Sequence, residues 1–137
     1  AAEGQTLPQA TTNTLFGDDM RGVNLNDSGD VVFATTLSDG LGTTAAAQDS
    51  TVVVANVSGT RLVAQEGTAI PGASDGAVFA ELVFAPGLFD EAARINDSGD
   101  VLFLAVATGQ ELDLPRPTRL LYGTSGGLQT IADPRKP

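Results

Sequence analysis

Leu25-Asn26-Asp27-Ser28-Gly29-Asp30-Val31-Val32-Phe33 returns as Ile95-Asn96-Asp97-Ser98-Gly99-Asp100-Val101-Leu102-Phe103, 70 positions further on. Two near-identical stretches in a chain of 137 residues mark an internal repeat, and a repeat decides architecture before any single motif does. The chain reads as two copies of one small unit.

The match extends outward from the motif. Glu3-Gly4 with Pro8 aligns with Glu66-Gly67 with Pro71. Val52-Val53-Val54 aligns with Leu120-Leu121-Tyr122, and Arg61-Leu62-Val63-Ala64 with Gln129-Thr130-Ile131-Ala132. The offset is 63 at the first landmark, 70 at the motif and 68 at the last two. The second copy is therefore longer ahead of its motif, and the extra residues are expected within 73–91. The reading is a single domain over 1–137, made of repeats at about 1–63 and 64–132 with a short proline-rich tail at 133–137. The Glu-Gly-x-x-x-Pro element opens the chain, and its third occurrence would fall on Ala132-Asp133-Pro134-Arg135-Lys136-Pro137. Each end is then expected to be a partial unit. Stacked repeats bury their apolar faces against neighbours, and about three are normally needed for stability.

Between these landmarks the pattern has a β period. The runs 21–25, 31–37, 51–57, 61–64, 92–95, 101–107, 119–124 and 128–132 are rich in apolar and β-branched residues. Gly29, Ser58-Gly59, Gly99 and Ser125-Gly126-Gly127 punctuate them as turns. The expected fold class is all-β: two repeated four-stranded antiparallel meander sheets, blade-like, packed as a sandwich or a propeller-like fragment. Residues 4–19 have little periodicity and are expected to be a loop or extended arm, and 79–84 a strand plus loop. Val31, Phe33, Val53, Leu62, Val101, Phe103, Leu121 and Ile131 are the expected core.

Composition narrows the function classes. Seven Lys and Arg against 17 Asp and Glu leave a net charge of −10, which argues against nucleic acid and anionic membranes. No stretch reaches the roughly 20 apolar residues of a membrane helix, so no membrane span is expected. There is no Cys, hence no disulfide and no thiolate site. The chain begins at Ala-Ala, the start expected of a mature secreted protein cut after small residues.

Asn-Asp-Ser-Gly between two strands is first a tight turn. Asn and Asp bond the nearby backbone, and Gly supplies a positive φ. The Phe three residues after the motif Asp then fills the core beneath its own turn. Two functional readings stand beside this one. Asn26, Ser28 and Asp30 alternate as in the opening of a calcium loop, but Leu37 and Ala107 stand where a bidentate Glu is required. Asp27, Asp30, Asp97 and Asp100 remain weak calcium candidates, with Asp18-Asp19 and Asp90-Glu91 as neighbours that could add ligands. Asn26, Asn56 and Asn96 each open an Asn-x-Ser pattern, the acceptor signal for glycosylation of secreted chains.

The motif Leu/Ile-Asn-Asp-Ser-Gly-Asp-Val-x-Phe resembles the tandem repeats of secreted bacterial proteins built from Asn-x-x-Gly-x-x-x-Phe units. The resemblance covers both repeats, although the motif itself is short. It implies β-propeller-blade-like extracellular repeats, exported and held at the cell surface, with Asn26, Gly29, Phe33, Asn96, Gly99 and Phe103 as framework positions. It brings no catalytic residues. Such arrays usually carry more units, and two blades cannot close a ring.

Catalysis has little to stand on. With no His and no Cys, the usual general base and thiol nucleophile are absent. Lys136 is the only lysine. A carboxylate pair acting on a glycoside is the remaining enzymatic option, and the acids sit mostly in turns. No catalytic residue and no cofactor is expected. The expectation is a non-catalytic extracellular structural module that self-associates head-to-tail through residues 1–8 and 130–137, by terminal strand exchange, into a fibre or surface assembly. The alternative is a propeller-like binding module for a glycan or a divalent cation.

Overall fold

The computed structural model describes residues 15–38, 50–73, 76–82, 93–108 and 118–132. Nine strands form among them: β1 (Leu15–Leu25), β2 (Val31–Ser38), β3 (Ser50–Asn56), β4 (Gly59–Gln65), β5 (Val78–Glu81), β6 (Ala93–Ile95), β7 (Val101–Thr108), β8 (Thr118–Thr124) and β9 (Gly127–Ala132). They make two antiparallel sheets, one in the order β1-β2-β3-β4 and one in the order β5-β7-β8-β9, with β6 also paired to β7. The fold is all-β, as the period of the sequence requires, and it is consistent with a sandwich or a propeller-like fragment.

Nine strands stand where eight were expected, because the second repeat has split its first strand. Phe16 lies opposite Leu37 and Leu25 opposite Val31; their counterparts are Phe79 opposite Ala107 and Ile95 opposite Val101. The added residues of the second copy fall between β5 and β6. A second correction concerns residues 15–19, read as loop or arm but built into β1. Register shifts between Phe16 and Met20 and between Arg21 and Asn24, with Gly22 at φ 60, break the two-residue period that marks a strand.

The later strands keep step. Val53 pairs with Leu62 and Leu121 with Thr130, and each repeat carries the same register shift just beside that pair. The shift leaves Val63 in the first repeat and Ile131 in the second without an opposite residue. Val63 packs against the core, whereas Ile131 is 57% exposed, so its expected core place is not found. The bulge is common to both, so the difference lies in what stands opposite: Val63 lies against Gly123 of the second sheet, and no described sheet stands in that place beside Ile131. Val31 and Leu62 are only partly buried; the other expected core residues are buried.

Alternation along β2 and β3 divides the first sheet into two faces. Phe33, Leu37 and Val53 cluster with Phe16 on the motif-phenylalanine face. Val32, Ala34, Val52, Val54 and Ala64 lie on the back face, and that face packs on the second sheet. The second sheet contributes Phe79, Phe103, Ala107 and Leu121, the counterparts of Phe16, Phe33, Leu37 and Val53. Like faces therefore do not meet. The phenylalanine face of the second sheet lies on the back face of the first, as one blade lies on the next.

The phenylalanine pair recurs with its geometry. Phe16 and Phe33 are 6.2 Å apart at 44°, and Phe79 and Phe103 are 6.5 Å apart at 32°. Burial of each ring contributes roughly 1.5–3 kcal/mol. A polar link also ties the repeats: Ser50 Oγ donates to Glu66 Oε2 at 2.8 Å and accepts from the Leu82 amide at 2.9 Å.

Candidate functional site

Each motif forms the same turn. The Asn26 amide donates to the Asp30 carbonyl at 3.1 Å and the Gly29 amide to the Asn26 carbonyl at 3.2 Å; the Asn96 and Gly99 bonds are 3.0 and 2.9 Å. Gly29 and Gly99 have φ of 84° and 77°, a region that strains any residue with a Cβ. The Asn side chain locks the loop from inside. Asn26 Oδ1 accepts from the Asp30 amide at 2.8 Å, and Asn96 Oδ1 accepts from the Asp100 amide at 2.9 Å. Local residue chemistry thus explains the turn, and the sequence makes it twice.

Stacking of the sheets brings the two turns together. Asn26 Nδ2 donates to the Asn96 carbonyl at 2.7 Å, the Asp27 amide to Asp97 Oδ1 at 3.2 Å, and Ser28 Oγ to the Asp97 carbonyl at 3.1 Å. In these bonds the first turn gives donors and the second gives acceptors. The contact is heterologous, like the face packing beneath it.

Arg61 spans the same junction from β4. Its Nη2 donates to the Gly99 carbonyl at 2.9 Å and its Nη1 to the Thr124 carbonyl at 3.2 Å. Asn24 Oδ1 accepts from the Ile95 amide at 3.4 Å on the other flank. Sequence reasoning missed Arg61 and Asn24. One signal was available for the former: Arg61 aligns with the uncharged Gln129, so it belongs to only one side of a unit–unit contact.

The acidic residues are engaged in the turns. Asp30 accepts from Asn56 Nδ2 at 2.8 Å and from Asn26 Nδ2 at 3.0 Å. The bonds from Asn56 and Asn26 hold its carboxyl below the usual range, the Arg61 charge adds to them, and burial opposes. Asp100 accepts from the Tyr122 hydroxyl at 2.7 Å and from Asn96 Nδ2 at 3.3 Å. That hydroxyl is pushed above its ordinary value, first by the bond to Asp100, then by burial and the Asp100 charge, with Asn96 opposing.

The calcium candidates are divided by this bonding. Among the described residues no group of three or more His, Cys, Asp or Glu gathers to hold a metal ion. Asp27 and Asp97 are brought side by side, while Asp30 and Asp100 are each drawn into their own turn. The side chains of Asp18 and Asp19, and residues 90–91, lie outside the described residues. Of the three sequons, Asn56 and Asn96 are exposed. Asn26 is 7% exposed with both amide bonds made, so a glycan there would have to break the junction. A shallow depression of about 400 Å³ lies beside Arg61, lined by Val54, Asn56, Ser58, Gly59 and Thr60. The terminal segments 1–8 and 133–137 lie outside the described residues. No described helix is long and apolar enough to cross a membrane.

The geometry defines an all-β module of two blade-like repeats, stacked by unlike faces and bonded through their repeated turns. It belongs to DUF7453, a family of unknown function, whose model matches residues 1–136. No curated protein matches the chain, and no solved structure does.

Proposed function

We propose that this chain is a non-catalytic extracellular structural module that self-associates head-to-tail, by terminal strand exchange, into a fibre or surface assembly. The observation that carries the reading is the outer edge of β9. Among the described residues β9 pairs only with β8, and Gly127–Ala132 contains neither a charge nor a proline. Edge strands are normally blocked by such residues, because a bare edge is a template for another chain. Here a strand from residues 1–8 of another copy would add beside residues 130–132. The heterologous contacts inside the chain support the same polarity. The extracellular placement rests on the motif's resemblance to exported bacterial repeats.

Size-exclusion chromatography with light scattering, followed by negative-stain microscopy, tests this reading. Polymers that disappear on deletion of residues 1–8, or in Ile131→Lys, are the expected result. A wild-type chain that never exceeds a dimer overturns it. A second reading, a binding module for a glycan or divalent cation, draws on the shallow depression beside Arg61, where Asn56, Ser58 and Thr60 offer polar side chains. A thermal-shift series with calcium, EDTA and oligosaccharides addresses it, and an unmoved melting temperature rejects it.

A further inference from the structure

Asn56-Val57-Ser58 forms the tip of the β3–β4 hairpin, at the same end of the first sheet as its motif turn. Asn56 pairs with Gly59, so Val57 and Ser58 make a two-residue turn. Val57 is fully exposed, and Asn56 and Ser58 are exposed beside it. The three residues of this Asn-x-Ser pattern therefore stand in solvent together.

The three such patterns of the chain differ in what their carboxamides already do. Both Nδ2 hydrogens of Asn26 are bonded, to Asp30 Oδ2 and to the Asn96 carbonyl, and the residue is buried. Asn96 is exposed, but its Oδ1 takes the Ser98 and Asp100 amides at 3.0 and 2.9 Å, and its carbonyl takes Asn26. That pattern is held from two sides, by its own turn and by the first repeat. Among the described residues Asn56 Oδ1 accepts from the Ser58 amide alone, at 2.9 Å, and Nδ2 gives one hydrogen to Asp30 Oδ1 at 2.8 Å. A carboxamide nitrogen has two hydrogens, so replacing the other one leaves the bond to Asp30 in place.

A second, independent feature adjoins the same side chain. Asn56 lines the depression of about 400 Å³ beside Arg61, a volume at the low end of ligand sites, about 300–1,000 Å³. Val54 gives it an apolar wall, and Ser58 and Thr60 give hydroxyls. Arg61 adds a guanidinium with N–H groups beyond those bonded to Gly99 and Thr124. A pyranose ring has the matching make-up, an apolar face bordered by hydroxyls.

We propose that Asn56 is an N-glycosylation acceptor and that this depression seats the first sugar of the attached glycan. The inference rests on the extracellular reading above, because this pattern is an acceptor in exported chains. The donor is an oligosaccharide carried on a lipid diphosphate. Asn56 Nδ2 bonds to the sugar C1, and the C1–O bond to the diphosphate breaks. Its electron pair leaves with the diphosphate, and the displaced Nδ2 proton passes to a base of the transferase. The seat serves a sugar tethered at its rim and needs no affinity for free oligosaccharide, which separates it from the second reading above.

Intact mass of the whole chain, recovered from the cells that make it and from their medium, tests the attachment. The expected chain lies outside the cell, is heavier by one glycan, and loses it to an amidase that turns Asn56 into aspartate. Ser58→Ala, which leaves the described side-chain bonds of Asn56 in place, should abolish the gain in mass, and Asn96→Gln should not. An exported chain at its unmodified mass, or one whose glycan sits on Asn26 or Asn96, overturns this inference alone. A chain retained in the cell overturns the extracellular reading, and this inference with it. The seat is read from nuclear Overhauser contacts between the first sugar and the Val54 methyls of the glycosylated chain. Thr60→Trp fills the depression and should remove those contacts while the chain stays glycosylated. Their absence from the wild-type glycosylated chain overturns the seat.

Discussion

Asn26 donates its side-chain amide to the backbone carbonyl of Asn96, its own counterpart in the second repeat, at 2.7 Å. The two residues open the same Asn-Asp-Ser-Gly-Asp-Val stretch and have opposite roles in space. Asn26 is buried and bonds across the repeats; Asn96 is exposed and directs its side-chain bonds into its own turn.

This asymmetry is measurable. Asn26→Ala removes the turn lock, the bond to Asp30 and the bond to Asn96 from a buried place, and is expected to destabilise by roughly 2–3 kcal/mol. Asn96→Ala loses solvent-accessible bonds and is expected to cost about 1 kcal/mol. Urea denaturation of both variants gives the comparison, and equal losses would mean the cross-repeat bond contributes nothing.

Gly123 is needed for closeness of packing. A Cβ there would lie 3.1 Å from Val63 Cγ1 and 3.4 Å from Leu128 Cδ1, between β4 and β9. Gly123→Ala should destabilise by roughly 1–3 kcal/mol through overpacking. Val63→Ala removes the obstructing methyl, so the double variant should lose less than the sum of the two single losses. Strict additivity in a double-mutant cycle would contradict this packing.

Phe103 lies between the sheets, whereas Phe33 lies on the far face of the first sheet. Phe103→Ala is expected to cost roughly 3–5 kcal/mol. It should also raise hydrogen exchange in both repeats, because it loosens the interface. Phe33→Ala should raise exchange mainly in β1–β4. Matching exchange maps for the two variants would refute the unlike-face stacking.

Asp30 and Tyr122 shape opposite ends of the pH profile. The Asp30 carboxyl is lowered by Asn56, Asn26 and Arg61, so its contribution is full above the unfolded value of about 3.9 and is lost as pH falls through the lowered folded value. Asp30→Asn should flatten the stability profile below about pH 4. The Tyr122 hydroxyl is raised by Asp100, so its contribution is full below about pH 10 and is lost as pH rises through the raised value. Tyr122→Phe should remove that alkaline decline. Chemical denaturation across pH tests both, and a profile unchanged by either substitution rejects its assignment.

Sequence alone determined the repeat, its offsets, the β class and the Asn-Asp-Ser-Gly turns. These follow from local chemistry: Gly29 and Gly99 at positive φ, Asn side chains bonding the backbone four residues on, and short runs of apolar and β-branched residues in β2, β3, β7 and β8. It lost residues 15–19, because bulges in β1 break the period, and it misplaced Ile131, because the second sheet that its counterpart Val63 packs against has no equivalent beside Ile131 among the described residues. Only the tertiary structure decided which face of one repeat covers which face of the other. Both faces of these strands carry apolar residues, so alternation cannot name the partner face. The same stacking turned two copies of one motif into a donor and an acceptor, and it placed Arg61 across them. The repeated turn is local in origin, but its contact with itself depends on residues 70 apart that only packing brings together.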